Sequence, residues 1–488
     1  MPKPVPTRTS RPLPAADGHL VRRFSYGLTP GLAAQVRRRG GARGWFEWQL
    51  QPEQIGDPRG DALFGWWSGL ARGPQELWRR QVEEVEGGWE VMSDYQRWVL
   101  MRRIVSQRQL HEVVAELWEN HLNVPVHADG VFTHRVDYGL TVRRHALGRF
   151  EDLLRAAVIH PAMLIFLDGA VSTARHPNEN LGRELLELHT VGRGEFDEDD
   201  VKAAARILTG YTVDLWHTWA ASYQPRRHWR GPVQVMGFTD PNAEADGRAV
   251  VHRFLGYLAR HPATARRVAR RLAVKFVRDD PSAELVDHLA EVYLASETEI
   301  RPVLRALVDS SEFRASAGLK VRDPGEDLVA SYRVLRARVQ APPEGPAGDR
   351  YAATQMLWSV GDLGVAPFEW PRPDGQPIDN ESWSSPSRLI GSLDLHLSLS
   401  GRWWPTAGIT YRTPEQWLPR RALRFSALVE HLSRQLLGRP STDTLLRACC
   451  QAVGVSPDTR ITADHAVMRW QFPNLLTTFL DSPAHLTR

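Results

Sequence analysis

Between residues 75 and 122 apolar positions recur at helical spacing: Leu77, Trp78, Val82, Val85, Trp89, Tyr95, Trp98, Met101, Ile104, Leu110, Val113, Val114, Leu117 and Trp118. Steps of three and four put such residues on one helical face, so the stretch predicts long helices, closed by Pro125, with His121 in the last turn. Upstream, residues 19–50 predict two short helices split at Gly27-Leu28-Thr29-Pro30, with Thr29 as cap and Pro30 at the first helical position. Residues 134–167 predict two more, joined near His160-Pro161. In the stretch Pro177 to Gly210, Asn178 or Asn180 caps a helix running to about Val191, where Gly192 supplies the stop. Asp197 then opens a helix through Leu208, its acidic first turn suiting the helix dipole. Over 262–278 the pattern turns Val268, Leu272 and Phe276 inward and Arg267, Arg271 and Lys275 outward, as a solvated face in preference to an anion-binding ridge. Helices follow near 282–295, 298–309 and 386–399, and again from 414 onward, where EQWLPRRALRFSALVEHLSRQLLG is the clearest.

Three stretches break the helical pattern. Residues 211–251 alternate aromatic, polar and Gly/Pro positions and predict a short hairpin within an irregular lid. The Pro/Gly-rich 340–350 segment reads as a linker. The loop at 367–388 is too long and too aromatic for a plain connector. The expected fold is mainly α: a large multi-helix globular fold with long irregular Trp/Pro-rich loops and little or no sheet. A main helical domain over 19–340 would carry the polar motifs, with a C-terminal helical part, 350–488, packed on it.

At 488 residues the chain can bury a large core, and 42% hydrophobic content argues against disorder. No apolar run reaches the roughly 18 residues a membrane-spanning helix needs. The basic N-terminus lacks an apolar stretch behind Arg22-Arg23, so the chain as it stands reads as cytoplasmic, with secretion requiring a signal already removed. Net charge is +4, but only four of the 61 basic residues are lysines, a preference for arginine that gives weak grounds for nucleic acid as partner. The adjacent Cys449-Cys450 pair offers neither a long-loop disulfide nor a thiolate metal cluster.

The densest chemistry lies in PNENLGRELLELHTVG. Glu116-Leu-Trp-Glu119-Asn-His121 and Glu184-Leu-Leu-Glu187-Leu-His189 share the pattern E-L-x-E-x-H. Two such helices face to face could hold a divalent metal (iron, manganese or zinc) on Glu119, His121, Glu184, Glu187 and His189. Each histidine follows its second glutamate by only two residues, about 200° around an α-helix, so only an unwound last turn would join them. The plainer alternative puts both histidines at helix C-termini, where the dipole favours positive charge, and pairs the glutamates with arginines, Arg183 with Glu187 among them. A second constellation takes Glu184 or Glu187 as general acid or base, with His145 and His228 as proton partners. Arg144, Arg183 and Arg227 would then clamp an anion, and Asn178, Asn180 and Trp229 would bind substrate. A carboxyl set in LLEL has its pKa raised unless an arginine or metal holds it charged. Among 18 tryptophans, Trp216, Trp219, Trp229, Trp358, Trp370, Trp383, Trp403 and Trp404 sit in or beside irregular segments, placed to stack on a sugar or flat ligand. No dinucleotide, phosphate-loop, zinc-protease or nucleophile-elbow motif occurs.

The segments HLVRRFSYGLTP, LWENHLNV, RRHALGRFEDLL, HPAMLIFLD, NENLGRELLELHTVG, DVKAAARILTGY and HPATARRVARRLAVKFV, with the Trp/Pro loop around 367–384, come in this order along most of the chain. In these the chain resembles the bacterial family known as domain of unknown function 1800. By that resemblance His121, Arg144, His145, Asn178, Glu179, Asn180, Arg183, Glu184, Glu187, Arg206 and Thr209 fall on motif positions, and Arg226-Arg227-His228 matches an Arg-His site. The family pattern Trp-His-Asn-His is here Trp118-Glu119-Asn120-His121, which removes one histidine. Members often carry an export signal and occur beside sulfatase-like partners; no such signal is visible here.

The expected function is an enzyme, a metal-dependent hydrolase or oxidoreductase by class, doing acid/base or metal-assisted chemistry on a polar small molecule or glycan, whether neutral or anionic. Its site would form from 116–121, 143–145 and 178–189 beneath the 211–232 and 367–384 loops. The alternative is a non-catalytic binding or assembly module in which the Glu/Arg/Asn/His network is structural.

Overall fold

The computed structural model describes residues 12–343 and 350–488; most of the expected linker, 344–349, lies outside them. The fold is mainly α: 60% of it is helical and only 6% is strand. Strands occur among the described residues as four two-stranded antiparallel ribbons. The irregular stretch after Gly210 holds two of them, Tyr211–Val213 with Ala221–Tyr223 and Val233–Val235 with Phe238–Asp240. The other two, Arg338–Val339 with Ile409–Thr410 and Ala422–Arg424 with Arg460–Thr462, tie distant segments together.

Local chemistry sets most helix ends. Thr29 accepts a hydrogen bond from the Leu32 amide, with Pro30 at the first position of Pro30–Arg38. Asp197 accepts from the Asp199 and Asp200 amides and opens Glu198–Ile207. His160 accepts from the Ala162 amide, so 134–167 forms three helices, Arg135–His145, Phe150–Val158 and Pro161–Phe166, where spacing predicted two. The 75–122 run likewise divides into Pro74–Val82, Gly88–Val105 and Gln109–His121. Val82, Val85 and Trp89 around the first break are 61%, 55% and 69% exposed, so helical spacing there did not mean burial. In EQWLPRRALRFSALVEHLSRQLLG only Phe425–Leu436 is α-helix; Pro419 interrupts the first half, which forms a 3-10 turn and a strand.

The basic stripe of Pro262–Phe276 is reversed from expectation. Lys275 is buried and binds Glu326 at 2.9 Å, Arg267 and Arg271 are partly buried, and Arg266 and Arg270 form the exposed face. One apolar cluster runs from Leu13 to Leu480 and takes in residues on both sides of 340–350.

Helix Gln109–His121 is buried on nearly every face and carries three acids into the interior. Each meets arginine or tyrosine. Glu112 binds Arg102 at 2.9 Å and Arg143 at 2.5 Å, and these charges hold its carboxyl far below the usual carboxylate range despite burial. Glu116 binds Arg103 at 3.1 Å and accepts from the Tyr26 hydroxyl at 2.6 Å. Glu119 binds Arg135 at 3.2 Å and accepts from the Tyr95 hydroxyl at 2.7 Å. The Arg135 guanidinium in turn lies over the rings of Tyr95, Tyr138 and Phe368. Such partners offset the cost of burying charge, although Glu119 uses Oε2 for all of them and its Oε1 is buried with no partner among the described residues.

Candidate functional site

Asn178 caps the short helix Glu179–Glu184 by accepting from the Asn180 amide at 2.8 Å. Gly182 sits where this helix crosses Glu198–Ile207: a Cβ there would lie 3.0 Å from the Ala205 nitrogen and 3.1 Å from the Val201 oxygen. The chain then widens into a π-helical turn, Leu185–His189. Such turns recur at functional sites because they re-aim side chains within a helix. Gly192, at φ +103°, ends the segment, and a Cβ there would come within 3.2 Å of an Arg267 nitrogen.

The turn separates the motif into an outer acidic face and an inner imidazole. His189 points inward and its Nδ1–H donates to the His121 carbonyl at 3.0 Å, while His121 Nε2–H donates to the His189 carbonyl at 3.1 Å. This reciprocal pair fixes both tautomers and leaves His189 Nε2 as a buried acceptor with no partner among the described residues. Burial holds His189 down to about 4, aided by Arg267 and Arg271, and lowers His121 as well. Both rings are therefore neutral, and the dipole argument for charged histidines gives way to desolvation.

Glu187 faces outward and binds Arg193 at 2.5 Å, not Arg183. Glu184 is half-buried and has no hydrogen bond or ion pair among the described residues; burial and then Glu187 raise its pKa. Arg267 donates to the Leu188 carbonyl at 3.1 Å. Arg271 has Nε and Nη2 buried without an acceptor among the described residues, and burial and then Arg267 pull its pKa down to about 10. Asp374 of the Trp/Pro loop is within electrostatic range of Glu184, Arg193 and Arg271. That loop is pinned by the ENHLN segment: Asn120 donates to the Gln376 carbonyl at 2.9 Å and accepts its amide at 2.6 Å. Asn123 donates to the carbonyls of Trp370 and Arg372, both at 2.8 Å. The cluster thus unites the π-helical turn, helix Pro262–Phe276 and loop 370–376.

The residues expected to form one site divide among several neighbourhoods. For the metal set, Glu119 is committed to Arg135, Glu187 to Arg193, and His121 and His189 to each other's backbone. Among the described residues these five do not gather three ligand atoms around one point. Of the anion clamp, Arg183 forms a two-armed pair with Glu198 at 2.8 and 2.6 Å, Arg227 donates to the Thr212 hydroxyl at 2.6 Å, and Arg144 is exposed. Of the proton partners, His228 is buried between Thr209 and Asn242, its Nε2 at 2.8 Å from Asn242 Oδ1, and half-buried His145 has its pKa lowered by burial. Trp229 lies under Arg206, 5.0 Å from ring centre to guanidinium, and Asn180 donates to Asp168 at 3.3 Å. Of the expected catalytic groups, Glu184 and His145 make no side-chain hydrogen bond or ion pair among the described residues, and Glu184 is the one that lies in the π-helical cluster. Sequence reasoning missed Arg267, Arg271, Asn120, Asn123 and Asp374. No local signal separates Arg271 from exposed Arg270, whereas the Asn120 and Asn123 pair already stood in a named motif.

The family described as "Protein of unknown function (DUF1800)" matches residues 19–487, and the chain belongs to it. Comparison with curated proteins and with solved structures finds no match.

Proposed function

We propose that the cluster around the π-helical turn binds a small polar molecule bearing a carboxylate or phosphate, and that Glu184 exchanges a proton with it. The observation that carries this reading is Arg271, whose Nε and Nη2 are buried and donate to nothing among the described residues. Buried donors are almost always answered, and two adjacent guanidinium N–H groups suit the two oxygens of an anionic group. Arg267 adds a second positive charge beside it. Glu184, its pKa raised by burial and Glu187, suits a proton-transfer role, and neutral His189 can accept a hydrogen bond at Nε2.

The second reading, a binding or assembly module without catalysis, draws on the three glutamates of Gln109–His121, whose arginine and tyrosine pairs are wholly internal. The two readings differ in what crystals soaked in phosphate should show. The ligand reading expects phosphate density against Arg271 Nε and Nη2; a guanidinium turned onto a protein acceptor with no density beside it contradicts that reading and favours the structural one.

A further inference from the structure

We propose that Asp327, His396 and His485 form a divalent-metal site of the zinc class, separate from the cluster above. Asp327 stands on helix Pro324–Leu335, His396 on Pro386–Gly401 and His485 on the short Pro483–Leu486. All three are buried. Asp327 Oδ1 is 3.1 Å from His396 Nε2 and 3.7 Å from His485 Nε2, and the three ligand atoms lie within 4.8 Å of one another. Zinc bound at about 2.0–2.1 Å in tetrahedral geometry spaces its ligand atoms about 3.3 Å apart, so small side-chain shifts seat the ion. Two imidazoles and one carboxylate also favour zinc over the oxygen-seeking calcium and magnesium.

The surroundings match those of an oriented metal ligand set. His396 Nδ1 is held by Asp481 Oδ1 at 2.8 Å, the carboxylate–imidazole arrangement that aims Nε2 at a metal and strengthens it as a donor. Asp327 Oδ2 is occupied by the Ser392 hydroxyl at 2.7 Å and Arg388 at 3.2 Å, leaving Oδ1 facing the two histidines. Arg388, Ser392 and His396 stand four residues apart on one helix, so a single face supplies a ligand and two supporting groups. The Ser331 hydroxyl, 3.0 Å from His485 Nε2, occupies that nitrogen and would turn away from it, or join as a fourth ligand, when an ion binds. Metal entry displaces the proton between His396 and Asp327 to solvent and forms bonds to both atoms in its place.

Such an ion would clasp the segment 481–488 onto helix Pro324–Leu335, a contact already made by Arg322 to the carbonyls of His485 and Leu486 at 2.8 and 3.0 Å. The test is titration of the full, chelator-treated chain with Co(II), followed by Zn(II) competition. Wild type should bind one equivalent with tetrahedral cobalt absorption and melt at a higher temperature when loaded. His485→Gln should abolish the absorption, and Asp481→Asn should weaken binding about 10–100-fold. Should His485→Gln not fold, Asp481→Asn decides alone. Absence of a wild-type spectrum, or unchanged affinity in the variants that fold, overturns the proposal.

Discussion

His189 shows how burial overrides a local electrostatic preference. Its place at a helix end favours a charged ring, yet desolvation holds it neutral down to about pH 4, as it does His19, His111 and His431. The unfolded chain protonates these rings near 6.5, so it binds more protons than the folded chain between about pH 6.5 and 4. Stability should therefore fall as pH drops through that window. Thermal midpoints measured across it should decline, with a shallower slope in His189→Gln; a flat profile would refute the assignment of buried neutral rings. The glutamates of Gln109–His121 give the opposite kind of test. Arg135→Leu leaves Glu119 buried without its cation and should cost about 3–5 kcal/mol in denaturant unfolding. Glu184 was legible at this scale, since a carboxyl among leucines announces a raised pKa. The fates of Glu187 and Arg183 were not: their partners, Arg193 and Glu198, depend on how the chain turns beyond the helix.

At the scale of elements, the signature NENLGRELLELH reads as a crossing point followed by a turn that re-aims its side chains. Gly182→Ala should destabilise by about 1–3 kcal/mol, because the added methyl meets the backbone of Val201 and Ala205 at 3.0–3.1 Å. Chemical denaturation reads the loss; an unchanged midpoint would mean the helices part freely. Gly375→Ala is expected to act differently. It combines φ +73° with a Cβ placed 1.8 Å from the Asn120 carbonyl, so it should dislodge the Trp/Pro loop while the core persists. Limited proteolysis should then cut near 370–376 in the variant only. Helix caps and stops such as Thr29, Asp197 and Gly192 were readable because they act on neighbours in sequence. The π-helical turn was not, since the groups that hold its last residue, His189, lie on His121, 68 positions away in sequence.

For the molecule as a whole, the mainly α architecture followed from periodicity, because helical stripes need only local spacing to be seen. In Pro262–Phe276 the apolar stripe Val268, Leu272 and Phe276 faces inward as its spacing predicted, but the burial of Lys275 and the partial burial of Arg267 needed the tertiary partners: Glu326 for Lys275, and the Leu188 carbonyl for Arg267. On the proposed reading the anion clamp is Arg267 and Arg271, in place of the expected Arg144, Arg183 and Arg227. Calorimetric titration with inorganic phosphate distinguishes the two clamps most directly, comparing wild type with Arg271→Leu and Arg183→Leu at equal ionic strength. Saturable binding that is retained in Arg183→Leu and lost at least tenfold in folded Arg271→Leu is the predicted result. Binding that is absent in wild type, or indifferent to Arg271, would contradict the assignment of the π-helical turn as a ligand site.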